Sequence, residues 1–451
     1  MTSLRPHLRA FLLALPLLLA LPAAVRSAEL PDSTTTDAFR LANGLEVRVR
    51  RVPGAAGVAM SVAYRAGHAY DPAGREGLAA LLAELEFTAP AGDIPERTRE
   101  EMDGLRPQGW GLQVNDRLAV LTEIATRDRF PGVLHQVAAR MRGVQPTAGD
   151  LTRALASVRA DQGQRRLGRA DLALYYRVRD LARGENDEQL LRRATARGLE
   201  GLALKDVNAL LRRTFVPANA CLAIAGDFGD MDLHALVEHE FGGIPAGAAQ
   251  PEAAVAPLVP GRRSSPFLGL DQPIGTVGVI APAVEDTLHP AFFLAMIISG
   301  PYVTNTLGRP AAPLTSRFQY SLFDEPDLVR FNLSPAAGET KPEVLHEQLS
   351  WLMDKLSETQ LERGMFEAVR HNVLWLVGGP LPMSVREQMR RQPGSLGTLA
   401  TGMASRTLWK GDAFWAEYLG RLQTTLRGHN TFAAWLTDPS HQAVLLLTPK
   451  R

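Results

Sequence analysis

The sequence contains a single cysteine, Cys221, among 451 residues. An internal disulfide is therefore excluded, and the folded chain must be stabilised by buried apolar area. Cys221 lies in an apolar run at residues 220–225, where a thiol is typical of a small core side chain. No arrangement of histidine and asparagine around it indicates an activated catalytic thiol.

After residue 27 the sequence has no run of about eighteen apolar residues, the length that spans a bilayer. One shorter run, residues 11–24, follows Arg5 and Arg9 and leads into small residues that end at Ser27. This arrangement is typical of a secretory signal peptide. We expect residues 1–27 to be removed on export to the periplasm of a Gram-negative bacterium, which leaves no membrane span. An uncleaved N-terminal anchor is the alternative.

Neither sign of charge is in excess, because 49 Lys and Arg residues face 48 Asp and Glu residues. Removal of the signal peptide takes away three arginines and no acidic residue, so the formal charge falls from +1 to −2. This balance provides no basic surface and argues against nucleic acid as a partner. A hydrophobic content of 45% is typical of a globular chain of two or three domains.

The residue patterns predict an α+β protein. Residues 45–49 and 58–64 alternate as strands do and flank Pro53-Gly54, which predicts a β-hairpin. Thr147 and Asp150 have the spacing of a capping box, so a long helix is predicted to begin there. Similar patterns predict helices over 74–85, 172–183, 204–215, 292–298, 343–356 and 358–376, a helix that ends at 241, and strands over 220–225, 276–280, 328–333 and 443–447.

Residues 246–266 are rich in proline, alanine and glycine and have no periodicity, which is typical of a linker. The order of predicted elements before this segment recurs loosely after it. We therefore interpret the chain as two tandem copies of one α+β unit, over residues 33–245 and 267–451.

Separated patches of the sequence resemble the M16 metallopeptidase family, which includes insulinase, pitrilysin and the mitochondrial processing peptidase. They are residues 64–67 (YRAG), 77–79 (GLA), 84–87 (ELEF), 215–219 (FVPAN), 222–227 (LAIAGD), 241–245 (FGGIP) and 438–449. In that family a strand leads into a helix that carries the zinc motif His-x-x-Glu-His. The resemblance implies two M16-type domains, each an antiparallel-rich sheet covered by helices, with the zinc helix over 76–87.

The three motif positions fall on Ala80, Ala83 and Glu84. On a helix, residues i and i+4 share a face and can bind one zinc, while i+3 reaches the metal-bound water as its base. The first ligand and the base are thus both replaced by alanine. The third ligand of the family, a Glu on a second helix, matches best at Asp161. We expect a catalytically inactive homologue that holds no metal or other cofactor.

No other part of the sequence supplies a zinc motif, since neither HxxEH nor HExxH occurs. His234 and His239 are five residues apart, which is about 140° around a helix, so they do not face one metal. His346-Glu347 lacks a second histidine at the required position. We interpret these side chains as solvated helix faces.

In the second domain of M16 enzymes, an Arg and a Tyr hold the backbone of the substrate peptide. Arg317 and Tyr320 supply these residue types, although their spacing differs from the expected one, and Arg309 is a further candidate. A solvated arginine and a half-buried strand tyrosine are the simpler interpretation.

The leading hypothesis is a partner subunit that completes the chamber of a zinc-competent M16 peptidase chain and grips its peptide substrate, with zinc only in that partner. A free-standing peptide-binding or envelope assembly protein is the alternative. A third hypothesis is a peptidase whose site is rebuilt from Glu84, Asp161 and a histidine brought in by folding.

Overall fold

A computed structural model describes residues 36–306, 314–335, 341–358, 363–424 and 432–450. The predicted signal peptide and Arg309 lie outside these ranges. The described residues form fifteen α-helices and two β-sheets, which confirms the α+β prediction. Within these ranges no helix combines the length and the apolar character needed to cross a membrane.

The first sheet has six strands: β1 (Thr36–Arg40), β2 (Glu46–Arg51), β3 (Val58–Tyr64), β4 (Trp110–Val114), β5 (Ala119–Ala125) and β6 (Ala220–Gly226). Their order is β1-β2-β6-β3-β5-β4. β6 runs parallel to β2 and antiparallel to β3, and all of its residues are buried. Cys221 on β6 is therefore fully buried, as predicted, and burial raises the pKa of its thiol to about 12.

The predicted hairpin of residues 45–49 and 58–64 is wrong, although both strands exist. β6 lies between β2 and β3 and takes the main-chain hydrogen bonds that a hairpin would have formed. Pairing with a distant, wholly apolar strand buries more surface than a local turn does.

The second sheet has five strands: β7 (Gly261–Phe267), β8 (Ile274–Ile280), β9 (Leu314–Ser321), β10 (Glu325–Pro335) and β11 (Gln442–Pro449). Their order is β7-β11-β8-β10-β9. β7 begins inside the segment predicted to be a linker, and it pairs in parallel with β11, with Gly261 opposite Ala443. The domain boundaries themselves stay a prediction.

The same five-strand topology occurs twice. In the first sheet β2 lies parallel to β6, which is followed by the antiparallel strands β3, β5 and β4. In the second sheet β7 lies parallel to β11, which is followed by the antiparallel strands β8, β10 and β9. Because order and direction agree strand by strand, two tandem copies of one unit are confirmed.

Eight helices come from the first half: α1 (Leu78–Thr88), α2 (Arg99–Leu105), α3 (Phe130–Arg142), α4 (Ala148–Gly163), α5 (Ala170–Ala182), α6 (Asp187–Ala194), α7 (Leu204–Thr214) and α8 (Leu233–Phe241). α4 begins at the predicted capping box, in which Asp150 N–H donates to Thr147 Oγ1 at 3.2 Å and Thr147 N–H donates to Asp150 Oδ2 at 2.7 Å. Local side-chain chemistry therefore sets this helix start.

Seven helices come from the second half: α9 (His289–Thr306), α10 (Pro342–Glu358), α11 (Arg363–Val373), α12 (Met383–Arg391), α13 (Pro393–Trp409), α14 (Gly411–Thr424) and α15 (Ala433–Thr437). They include the predicted helices near 292–298 and 343–356. The helix predicted over 358–376 is shorter, because α11 ends at Val373 and a 3-10 turn, Leu374–Val377, follows it.

Each half contributes helical residues to the core of the other. α13, from the second half, packs Leu399 and Met403 against the first sheet. α5, from the first half, packs Leu174 and Val178 against the second sheet. Helices of its own half cover the opposite face of each sheet. The two hydrophobic cores are therefore completed reciprocally across the predicted linker.

Candidate functional site

α1 is the helix on which the sequence places the degenerate zinc motif. It begins after Gly77, whose φ of +97° is in the left-handed region that favours glycine. The carboxylate of Asp71 accepts hydrogen bonds from the N–H groups of Gly77 and Ala79, at 2.8 and 2.6 Å. Leu81 and Leu85 are fully buried and fix the helix against the first sheet.

The two alanines of the motif offer no chemistry at this position. Ala80 is half-buried and Ala83 is fully buried. A methyl group neither binds zinc nor accepts a proton, so the first ligand and the general base have no counterpart on α1.

Glu84, at the second ligand position, is held by neighbouring side chains. It is 3% exposed, and Arg99 Nε donates to both carboxylate oxygens, at 3.1 and 2.9 Å. Arg99 Nη2 and Ser157 Oγ donate to the same carboxylate, the second at 3.1 Å. The positive charge beside this carboxylate is therefore the Arg99 guanidinium, at the place where a metal ion would supply it.

Asp161 lies one helical turn beyond Ser157 on α4. Its Oδ2 is 2.7 Å from Arg165 Nε, and the Arg165 guanidinium lies over the ring of Tyr176 at 4.8 Å. Burial lowers the pKa of Arg99, but the charges of Glu84 and Asp161 outweigh burial and raise that pKa above its ordinary value. Two carboxylates and two guanidiniums thus form one compensated cluster.

The residues of this cluster do not fit zinc. A tetrahedral zinc site needs three or four nitrogen, sulfur or oxygen ligands, whereas the cluster offers two carboxylates that already bind Arg99 and Arg165. Throughout the described part of the chain, no group of three or more His, Cys, Asp or Glu side chains is arranged to hold a metal. His234 instead stacks on Phe39.

The sequence predicted the place of Glu84 and Asp161 but not the side chains that hold Glu84. Arg99 is separated from it by 15 residues and Ser157 by 73 residues. A usable signal was the capping box formed by Thr98 and Glu101, which starts α2 and places Arg99 in its first turn.

In the second half, Tyr320 is buried on β9. Its hydroxyl donates to Pro326 O at 3.0 Å and lies 3.3 Å from His289 Nε2, while burial raises the pKa of this tyrosine. In this conformation Tyr320 offers no hydroxyl to a peptide. Arg317, on the same strand, is exposed. A peptide-binding role for the two residues stays a prediction.

Solved structures of low sequence identity share this architecture. A protease from Helicobacter pylori covers 92% of this chain and 100% of its own, with 13% identity and a TM-score of 0.73. An inactive M16 peptidase domain from Pseudomonas fluorescens covers 92% and 98%, with 13% identity and a TM-score of 0.65. The periplasmic protease PqqL from Escherichia coli covers 96% of this chain and 47% of its own, with 16% identity and a TM-score of 0.63.

No family model matches the sequence, and no curated protein does either. The likeness therefore rests on the two repeated sheets and the helices around them, not on sequence identity. The chain has the fold of the M16-like peptidases, as the sequence patches predicted.

Proposed function

We propose that this chain is a catalytically inactive, exported M16-type subunit, which completes the chamber of a zinc-competent M16 peptidase chain and helps to hold the substrate peptide. One observation carries the proposal: Ala80 and Ala83 occupy the positions where the resemblance places a ligand and the general base, and Arg99 donates to the carboxylate of Glu84, at the position of the second ligand. Without a base or a metal ligand at these positions, α1 offers no group to activate the hydrolytic water.

The length relationship to PqqL supports a need for a second chain. This chain corresponds to 47% of PqqL, so a single copy matches about half of that periplasmic protease. The name of the Pseudomonas fluorescens structure supports the inactive assignment, since it describes that domain as an inactive one.

The strand order supports a peptide-holding role. β4 ends the first sheet beside α1, and β9 ends the second sheet and carries Arg317. Terminal strands present unpaired main-chain N–H and C=O groups, which extended peptides can pair with. All residues of β4 are only half-buried, which leaves this edge accessible.

The test is a peptidase assay on an unstructured peptide mixture, first with this chain alone and then with a zinc-competent M16 chain added. We expect no activity alone, co-purification with the partner, and activity above that of the partner by itself. Arg317→Ala should reduce the gain, whereas Arg262→Ala, a change on the exposed edge of β7, should not.

Chelator-sensitive activity from this chain alone would refute the inactive assignment. No activity from this chain alone and no gain over the partner's own activity, together with peptide binding by this chain alone in fluorescence anisotropy, would instead favour a free-standing peptide-binding protein.

A further inference from the structure

A small cavity of about 20 Å³ lies beneath α1, between that helix, α3 and the first sheet. Its wall contains two acidic and two basic side chains of the core, Glu86, Glu123, Arg97 and Arg140. Each of the four is less than a tenth exposed. Ala80, Ala83 and Glu84, the positions of the degenerate motif, do not line this cavity.

Arg140 is only partly satisfied by the protein. The side chain is 3% exposed, and its Nη1 donates to Ala89 O at 2.5 Å. Its Nε and Nη2 make no hydrogen bond to any described residue. A buried guanidinium with unmet N–H groups costs roughly 1–3 kcal/mol or more, so a native structure normally supplies an acceptor.

The other charged side chains do not supply that acceptor. Arg97 Nη2 and Arg106 Nε donate to Glu123 at 2.7 and 2.5 Å, which occupies both oxygens of this carboxylate. Glu86 and Arg140 form no ion pair with each other. Three guanidiniums therefore share this region with two carboxylates, which leaves one excess positive charge. A neutral Glu86 would increase that excess.

The size of the cavity limits what can balance this charge. One water needs about 10–15 Å³, so about 20 Å³ accommodates a species of water size or slightly larger. Phosphate, sulfate and carboxylates are too large. We propose that the cavity binds a monoatomic monovalent anion, chloride under ordinary conditions, through the Nε–H and Nη2–H of Arg140.

A bound chloride would neutralise the excess charge and satisfy the two unmet N–H groups of Arg140 on α3. It would act as a structural ion of this chain, independent of any peptidase partner. The proposal therefore does not depend on the proposed function.

The first test is a crystal structure of the full chain from sodium bromide, with anomalous data at the bromine edge. We expect one anomalous peak inside the cavity, within hydrogen-bond distance of Arg140 Nε and Nη2. Density in the cavity without an anomalous signal would identify water and would overturn the proposal.

The second test is the dependence of the melting temperature, Tm, on chloride, with sodium gluconate holding the ionic strength constant. For the unchanged chain we expect Tm to rise by on the order of 2 °C per tenfold increase in chloride above the dissociation constant. Arg140→Met should remove this dependence. Arg142→Met, at an exposed position on the same helix, should retain it.

Equal chloride dependence in the unchanged chain and in Arg140→Met would contradict the proposal. If Arg140→Met fails to fold, the bromide experiment on the unchanged chain still decides it, because that experiment needs no variant.

Discussion

Arg179 on α5 and Asp327 on β10 form an ion pair at 2.9 Å, although 148 residues separate them in the sequence. The same guanidinium donates to Asp116, in the turn between β4 and β5, at 2.5 Å. In that turn, Asn115 Nδ2 also donates to Phe323 O, in the turn between β9 and β10. Arg179 therefore links the turn between β4 and β5 to β10, and Asn115 links the equivalent turns of the two repeated sheets.

This link and the reciprocal exchange of α5 and α13 predict that neither half folds alone. Residues 28–245 would expose the face of the first sheet that α13 covers and the apolar face of α5. We expect the fragments 28–245 and 246–451 to be insoluble or unfolded when expressed singly, and folded when co-expressed. Circular dichroism and urea titration check this. A cooperative unfolding transition of fragment 28–245 alone would contradict it.

Arg179→Met should be strongly destabilising. Removing this side chain leaves the buried Asp116 with Arg183 as its remaining partner and takes the guanidinium from the half-buried Asp327, and breaking a buried ion pair costs about 3–5 kcal/mol. Urea unfolding at pH 7 measures the change in the free energy of unfolding. Arg169→Met is the matched control, since its partner Asp171 is exposed and such surface pairs contribute about 1 kcal/mol or less. Equal losses in both variants would contradict the assigned role of Arg179.

The predictions that succeeded depend on local chemistry. The capping box of Thr147 and Asp150 is complete within four residues. The strand over 220–225 lies inside a sheet, and it is recognisable from the sequence because all of its residues are apolar. The predicted β2–β3 hairpin failed because pairing between strands is decided by partners far away in the sequence, here β6.

The candidate site was predictable only in part for the same reason. The spacing of Ala80, Ala83 and Glu84 follows from helix geometry, but the pairing of Glu84 with Arg99 depends on how α2 packs beside α1. β7 was missed because Arg262, Arg263 and Ser264 give an edge strand little apolar character.

The role of Arg99 predicts how zinc binding could be restored. A variant with Ala80→His, Ala83→Glu, Glu84→His and Asp161→Glu carries the full motif but keeps the Arg99 guanidinium beside it. We expect it to bind less than a tenth of an equivalent of zinc, because the Arg99 guanidinium, still attracted by the carboxylate at position 161, repels a dication at short range. Adding Arg99→Leu should raise zinc toward one equivalent.

Metal analysis by mass spectrometry, on protein purified without a metal-affinity tag, measures this. Arg99→Leu in the unchanged chain is the control and should bind no zinc, since the two alanines remain. Equal zinc contents with and without Arg99 in the restored motif would show that the guanidinium has no such effect.

His289 predicts an acid-sensitive second half. It is fully buried; Tyr418 Oη lies 2.7 Å from its Nδ1, and Tyr320 Oη lies 3.3 Å from its Nε2. Since the Tyr320 hydroxyl donates to Pro326 O, it accepts from Nε2–H, and Tyr418 donates to Nδ1. The neutral imidazole therefore satisfies every hydrogen bond in this chain, and burial lowers its pKa to about 4.

In the unfolded chain a histidine has a pKa of about 6.5, so between pH 6.5 and 4 the unfolded state binds the extra proton. The contribution of His289 is thus fully present above pH 6.5 and is lost as the pH falls to about 4, by up to about 3 kcal/mol. Urea unfolding of His289→Gln should show lower stability at pH 7.5 but a shallower decline toward pH 4.5. His346→Gln changes a more exposed histidine on α10, and its free energy of unfolding should fall with pH as that of the unchanged chain does. If the free energy of unfolding of His289→Gln falls as steeply as in the unchanged chain, the acid sensitivity belongs to other groups.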